Sequence, residues 1–306
     1  MLPPLPEVPD DQRATGAYPV RFEDITQDGR LMFAPLVASV DAAVWAPLLM
    51  RHPLSAKFES SGIRAIFTRI VLEATPARIR LGMKLEANGT YQLAHDRADD
   101  GTVSRLYLNM WTEIWAAHPK RDEKQLMGRL FAEHVLTRPL GPPEQRRVTE
   151  VPGLELPPAR YRQPQLDALL EPPSHDDEWL EPAPREDATS TVFGITHTDS
   201  NGHVNSLVYP RLFEEAALRR LAALGKPTKV LARRLEIAFR KPFFAGQSAG
   251  VALRAFARRG VSGAAGASST HEADALGATG VFLSASDLAA PAQAKPHAYV
   301  RMGFER

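Results

Sequence analysis

The chain contains no cysteine. That absence excludes disulfides, zinc-thiolate centres and a cysteine nucleophile, and leaves oxygen or nitrogen for any nucleophilic chemistry. A surplus of charge is missing too: 37 Lys and Arg stand against 36 Asp and Glu, a formal net charge of +1, which offers no case for nucleic acid as the main partner. No run of about 18 apolar residues occurs, so no membrane span is expected. The opening "MLPPLPEVPDDQ" has neither the basic start nor the apolar stretch of a secretory signal, and a cytoplasmic protein is the expectation. There is no G-x-S-x-G elbow and no Walker loop. "GVSGAAG", 260–266, has the wrong glycine spacing for a dinucleotide fingerprint and is expected to be a hairpin with flexible flanks.

What remains is an ordinary globular composition, 44% apolar and 24% charged over 306 residues, long enough for about two average domains. Texture changes most between 138 and 188, "RPLGPPEQRRVTEVPGLELPPARYRQPQLDALLEPPSHDDEWLEPAPREDA". Its prolines remove backbone donors and restrict their predecessors, so regular structure cannot persist there. The segment reads as a connector. Its Val, Leu, Tyr and Trp are too many for a purely solvated linker, so it is expected to lie along the surface of the halves it joins. The expected organisation is a first domain over 15–137, the connector over 138–188, and a second domain over 189–306.

The two flanking halves share an outline. From Ile63 to Trp115 the residues read as successive strands, with "ANG" as a hairpin signal and "HDRADDGT" as a longer turn. Leu106, Leu108, Met110 and Ile114 fall on one face of the last strand; Arg105, Tyr107, Asn109, Trp111, Glu113 and Trp115 fall on the other. That second face, rich in large aromatics, is expected to meet something other than water. From Val230 to Ala285 strands return, with Leu235, Ile237 and Phe239 alternating and "RRG" and "ALG" as turns. A helical segment precedes each sheet: "VDAAVWAPLLMRHPLSAKF" in the first half, "SLVYPRLFEEAALRRLAALG" in the second. In the latter Tyr209, Phe213, Ala217, Leu221 and Leu224 share a stripe, and Gly225 is a natural stop. Pro210 requires that the helix begin near Tyr209 or that the segment open with an irregular turn from Asn205. One strand, one helix and several antiparallel strands, written twice, make an α+β arrangement in which a sheet wraps its helix.

The densest polar grouping is "THTDSNGHVNSLVYPRL", 196–212, where acid, amide and imidazole groups gather just ahead of the helix. The stretch from Asp199 through Asn201, His203 and Asn205 to Tyr209 resembles the D-x-N-x-H-V-N-N-x-x-Y signature of the acyl-acyl carrier protein thioesterases, a double hot-dog family. The later "FRKPFFAG" resembles an element of 4-hydroxybenzoyl-CoA-thioesterase-like hot-dog proteins. The resemblance implies a tandem hot-dog fold, two antiparallel sheets each wrapping a central helix, and a thioester hydrolase in which Asp199, Asn201 and His203 form the catalytic group. It also implies that one half carries the polar site while the other shapes an acyl pocket.

Elementary chemistry agrees with that assignment. Negative charge grows on the carbonyl oxygen of an attacked thioester, and an amide such as Asn201, with N–H groups at a helix start, can stabilise it. An imidazole with an ordinary pKa of about 6.5 can take a proton from water near neutral pH, which suits His203. Asp199 could orient that ring, activate water or attack the carbonyl, and the sequence leaves these roles open. The resemblance departs where plant-type members carry a further acid beside a cysteine: that place aligns with Phe243 and Phe244. Glu214 or Glu215 on the helix would substitute, with Glu236 a weaker candidate. Ser206 replaces the second Asn of the signature.

Asn205, Tyr209, Trp45 and Trp111 complete the expected substrate-binding set, Trp45 together with Val44, Leu48 and Leu49 as acyl-pocket walls. "SVDAAVW" in the first half has Asp41 but no His or Asn, so one polar site is expected rather than two. Each feature also has a plainer reading: "DSNGHVN" makes turns and helix caps without chemistry, Trp111 and Trp115 suit packing, and His197 suits a structural role at a strand end. A metal site built on His197, Asp199 and His203 lacks a further ligand. Arg233, Arg234, Arg240 and Lys241 would attract an acidic carrier or coenzyme A phosphates. The expected activity is hydrolysis of a thioester carried on acyl carrier protein or coenzyme A, with no cofactor, by a monomer or homodimer. Two alternatives stand beside it, a silent acyl-binding protein and a 3-hydroxyacyl-thioester dehydratase.

Overall fold

A computed structural model describes residues 2–50, 52–117, 123–172, 174–258, 276–289 and 294–305. The stretch 260–266 lies outside them. Two compact units emerge, Met1–Pro164 and Gln165–Arg306, and the proline-rich stretch 138–188 is divided between them.

The first unit is an antiparallel sheet of β1 (Arg13–Pro19), β2 (Arg64–Ala74), β3 (Lys84–Arg97), β4 (Val103–Ala117) and β5 (Lys124–Thr137), in the order β1-β3-β4-β5-β2. Between β1 and β2 come α1 (Phe33–Val40), a π-helical continuation Asp41–Leu49 and α2 (Pro53–Ser60). The expected single helical segment is therefore corrected: it begins earlier and is interrupted. Pro47 lies inside the π turn, where a residue without an N–H suits a widened ladder, and the Met50 N–H reaches back five residues to the Trp45 carbonyl.

The "ANG" signal is also corrected, because Asn88 and Gly89 lie inside β3. A Cβ on Gly89 would stand 2.4 Å from the Ala43 carbonyl oxygen, and one on Gly16 would stand 2.0 Å from that of Ala42. These glycines mark where the π-helical backbone presses onto the sheet, a second use for glycine in a strand. The turn in "HDRADDGT" is present, with Gly101 at φ 83° closing the β3–β4 hairpin.

Both faces of β4 are covered. Leu106, Leu108, Met110 and Ile114 are buried on the face that carries Thr112, whose hydroxyl bonds Ser39 of α1 at 2.6 Å. Tyr107, Asn109 and Trp111 on the other face are buried as well. There the Trp111 indole N–H donates to the Pro3 carbonyl at 3.2 Å, Leu2 and Tyr161 pack on Val71, Trp111 and Phe131, and the Tyr161 ring meets Tyr107 edge-on at 5.1 Å. Burial and the neighbouring Glu133 carboxylate push the Tyr161 phenol far above its usual value. Glu133 is fully buried and accepts from Thr68 Oγ1 at 2.6 Å, the Tyr161 hydroxyl and Gln163 Nε2. Three donors from two segments satisfy one buried charge, as desolvation requires. The connector thus docks here, with β6 (Ala159–Arg160) parallel to β3.

The second unit repeats the order. β7 (Asp177–Trp179), β8 (Arg185–Glu186) and β9 (Thr191–Val192) pair in turn along β11 (Ser248–Arg258). Beyond it lie β12 (Leu276–Ser284), β13 (Ala298–Glu305) and β10 (Leu231–Phe239). Broken edge strand, third, fourth, fifth, second: the topology of the first unit recurs. The "ALG" turn is corrected, since Gly277 lies within β12 and a Cβ there would meet the Phe256 ring at 2.2 Å. The helix α3 (Val208–Ala223) buries Tyr209, Phe213, Ala217 and Leu221 of the expected stripe, with Ala216 beside them, while Leu224 is its half-buried C-cap. Ion pairs fasten the connector to it: Arg220 grips buried Glu181, and Arg219 grips Asp187 at 2.6 and 3.1 Å.

Arg233 corrects the expected basic surface. The β10–β13 register slips between Ala232 and Arg234, so Arg233 is the extra residue of a bulge and turns inward, 1% exposed. Among the described residues no single helix is long and apolar enough to cross a membrane.

Gly89→Ala is expected to cost about 3 kcal/mol in urea unfolding, because the added methyl meets a backbone carbonyl rather than a flexible side chain. A second expectation concerns pH. Burial holds the His134 imidazole down at about 4, below its unfolded value, so the unfolded chain binds the extra proton first. Stability present above about pH 6.5 is then lost as pH falls toward 4, by roughly 3 kcal/mol, and His134→Asn should flatten that limb of a stability–pH curve.

Candidate active site

The polar stretch folds as a small three-stranded ribbon ahead of α3. A 3-10 turn, Ile195–His197, leads into Thr198, which bridges Val204, while His203 bridges Phe244. The Asp199 N–H donates to the His203 carbonyl at 2.9 Å, the Asn205 N–H to the His197 carbonyl at 2.8 Å, and the Val204 N–H to the Phe243 carbonyl at 2.8 Å. Val204 is buried. Since side chains alternate across a ribbon, Asp199 and His203 share the side away from Val204, with Phe244 in the same row.

The turn is dictated locally. Asp199 Oδ1 accepts the Asn201 N–H at 2.8 Å, an Asx turn. Gly202, at φ 76°, takes the left-handed position that a side chain would strain, and its N–H closes on the Asp199 carbonyl at 3.0 Å. Asn201 projects from the tip, exposed, and among the described residues its side-chain amide has no intramolecular partner. Beyond the ribbon, Asn205 Oδ1 caps the Leu207 N–H at 2.8 Å, and the Asn205 carbonyl accepts from Val208 at 3.0 Å. Both options for Pro210 hold together: an irregular turn opens at Asn205, and the helix begins at Val208, with the proline in its first turn.

Asp199, Asn201, His203 and Asn205 are therefore neighbours. Tyr209 lies beneath them. Its ring is buried among Phe239, Phe243 and Phe282, its hydroxyl accepts the Phe243 N–H at 3.4 Å, and burial pushes its phenol up to about 12. Glu214 turns elsewhere: its carboxyl lies by the Ala232 backbone on β10, and burial first, with Glu215 adding repulsion, raises it above the ordinary carboxylate value. Trp45 and Trp111 belong to the first unit. Trp45 sets its ring edge-on to His134 at 5.5 Å, and Trp111 meets the N-terminal residues described above.

Beside His203 stands an aromatic ring. The His203 and Phe244 centroids are 5.2 Å apart at 77°, and among the described residues the imidazole has no hydrogen-bond partner. Phe244 occupies the place where the resemblance implies a carboxylate, a departure legible in "KPFF". Sequence reasoning missed His297. It stacks flat on Phe243, 3.6 Å away at 5°, donates from Nδ1 to the Pro242 carbonyl at 3.1 Å, and is held below its ordinary value by burial and by Lys241. No motif marks it, because its partner is fifty-four residues away in sequence. Among the described residues no group of three His, Asp or Glu side chains is arranged to hold a metal ion.

Because desolvation lifts Glu214, the folded chain holds its proton to higher pH than the unfolded chain does. Stability from that site falls as pH rises above about 4.5. Glu214→Gln keeps the shape and removes the charge, and should raise the melting temperature at pH 7 by more than at pH 4. No protein-family model and no curated protein matches the chain. Solved structures do. The acyl-ACP thioesterase of Bacteroides thetaiotaomicron superposes with a TM-score of 0.54 at 12% identity, over 97% of this chain and 99% of its own. The 12:0-ACP thioesterase of Umbellularia californica superposes with a TM-score of 0.55 at 9% identity, over 97% and 98%. At such identity the likeness establishes the fold, and the chain is an α+β protein of two hot-dog units in tandem.

Proposed function

We propose that the protein hydrolyses an acyl thioester, carried on acyl carrier protein or coenzyme A, at the ribbon of the second unit. The observation that carries this reading is the convergence on one turn of an exposed amide, Asn201, and an imidazole without an intramolecular partner, His203. His203 takes a proton from water as the water attacks the thioester carbonyl, and returns it to the thiolate that leaves when the C–S bond breaks. Asn201, aided by the positive end of α3, stabilises the oxygen as it gains charge. Asp199 spends one carboxylate oxygen on the turn, which favours a role in holding Asn201 and His203 in register over one as nucleophile. Asn205 and Tyr209 support the site, the first by closing the turn ahead of α3 and the second through Phe243. The fold shared with named thioesterases supports the same chemistry.

A second reading is favoured by Phe244. With a ring rather than a carboxylate against His203, the site would retain an acyl thioester without cleaving it.

Purified protein offered a panel of acyl-CoA and acyl-carrier thioesters separates the readings. Release of free acid supports hydrolysis, a retained unreacted thioester supports binding, and loss of water with the thioester intact indicates dehydration instead. His203→Ala and Asn201→Ala are each expected to lower kcat/KM by about 100-fold or more while circular dichroism stays that of the parent. Variants that hydrolyse as fast as the parent would remove the assignment.

A further inference from the structure

The polar ribbon of the second unit has a counterpart in the first. A 3-10 turn, Phe22–Asp24, precedes it as Ile195–His197 precedes the other. Ile25 bridges Leu31 as Thr198 bridges Val204, and Arg30 bridges Arg78 as His203 bridges Phe244. The Thr26 N–H donates to the Arg30 carbonyl at 2.9 Å, as the Asp199 N–H does to the His203 carbonyl at 2.9 Å. Gly29, at φ 82°, closes on the Thr26 carbonyl at 2.9 Å, as Gly202, at φ 76°, closes on the Asp199 carbonyl at 3.0 Å. Position for position, Thr26 stands where Asp199 does, Asp28 where Asn201 does, Arg30 where His203 does and Arg78 where Phe244 does.

The same frame carries a different chemistry here, and it is cationic. Leu31 is buried, so Arg30 and its bridge partner Arg78 turn to the opposite side, and residues facing each other across such a bridge hold their Cβ atoms about 5 Å apart. Arg30 is held in place: its Nε donates to Asp28 Oδ2 at 2.7 Å and its Nη2 to the same oxygen at 2.6 Å. The other oxygen of Asp28 accepts the Thr26 hydroxyl and, at 3.3 Å, the Arg30 N–H, so that carboxylate is spent within the turn. The stem of Arg78 runs along the turn, since a Cβ on Gly29 would stand 3.9 Å from Arg78 Cβ and 4.0 Å from its Cδ. Arg78 is exposed, and among the described residues its guanidinium has no hydrogen-bond or ion-pair partner. The same holds for Arg80, two residues on. Like charges facing each other across a bridge repel, and one spent carboxylate does not offset the guanidinium groups of Arg30, Arg78 and Arg80.

We propose that this turn of the first unit is a phosphate-binding site, with Arg78 gripping the anion beside the fixed charge of Arg30 and Arg80 adding to the local field. Guanidinium forks match the paired oxygens of a phosphate. A group with two negative charges suits the local positive surplus better than a carboxylate, which has one. Arg30 is already ordered by Asp28, so the anion has one long side chain fewer to immobilise. The phosphate is either free or part of a larger molecule such as coenzyme A. The site is separate from the ribbon at which hydrolysis is proposed, and its occupancy requires no turnover.

Calorimetric titration of the full chain with inorganic pyrophosphate and, separately, with coenzyme A tests this without reference to activity. Arg78→Gln should weaken binding about 10-fold or more. The ligand whose affinity falls names the source: pyrophosphate alone indicates a free phosphate, and coenzyme A indicates a carried one. Arg13→Gln removes an equal charge from an exposed position at the other end of β1, whose Pro19 end leads into the turn, and should leave affinity within about 2-fold. Failure of both ligands to bind, or an equal loss in the two variants, overturns the proposal and leaves the hydrolase reading intact. Arg78 is exposed and unpartnered among the described residues, so its replacement should keep the parent's circular dichroism. In proton–nitrogen spectra the Arg78 Nε–H signal, identified by its loss in Arg78→Gln, should shift when pyrophosphate or coenzyme A is added; a signal that neither ligand moves refutes the site whatever the affinities.

Discussion

The site depends on a backbone hydrogen bond, from the Val204 N–H to the Phe243 carbonyl. Through it the polar turn is not a free loop but the middle strand of a ribbon, fixed on one edge by Thr198 and on the other by Phe244. Phe243 in turn is anchored from three directions. Its N–H reaches the Tyr209 hydroxyl, its ring lies on His297 and tilts against Phe193, and it is fully buried. The first turn of α3 and the turn at 244–247 thus share an aromatic support. Side chains held on such a support would lose little additional freedom on meeting a ligand.

The two units use one strand order for different ends. In the second, the segment ahead of the helix is given to a polar ribbon and the helix itself is regular. In the first, the corresponding helix is widened at Asp41–Leu49 and pressed onto β1 and β3 through Gly16 and Gly89. A turn of the same kind does stand ahead of α1, where Ile25 bridges Leu31 and Gly29 takes φ 82°, but its polar residues Thr26, Asp28 and Arg30 bond to one another. The expected place of a matching site, "SVDAAVW", is thereby corrected, because that stretch lies within the helix and the equivalent turn is the earlier one.

Much of this was legible beforehand. Alternation in β4 and the α3 stripe depend on burial along one element, and periodicity reports burial directly. The Asp199–Tyr209 stretch was legible because its chemistry is contiguous in sequence. The errors share a cause. Asn88–Gly89 and Gly277 read as turns, since glycine is the usual residue where the chain reverses. Here it serves where a neighbouring backbone or ring leaves no space for a methyl group, a relation between distant residues that no local pattern carries. Arg233 misled for a similar reason, because one inserted residue in β10 reverses the side to which it points. His297 and the donors around Glu133 were invisible on the same ground: their partners come together only in the fold.

The short pieces β7, β8 and β9 carry one more implication. Strand β11 would otherwise end the second sheet with a row of open amide and carbonyl groups, the kind of border along which chains add to one another. Three fragments of a proline-rich segment cover that border piecemeal, and the intervening prolines keep the cover from becoming an inviting strand itself. Cleavage of the backbone between Asp177 and Val192 would therefore threaten colloidal behaviour first, leaving a protein whose polar ribbon is intact but which precipitates.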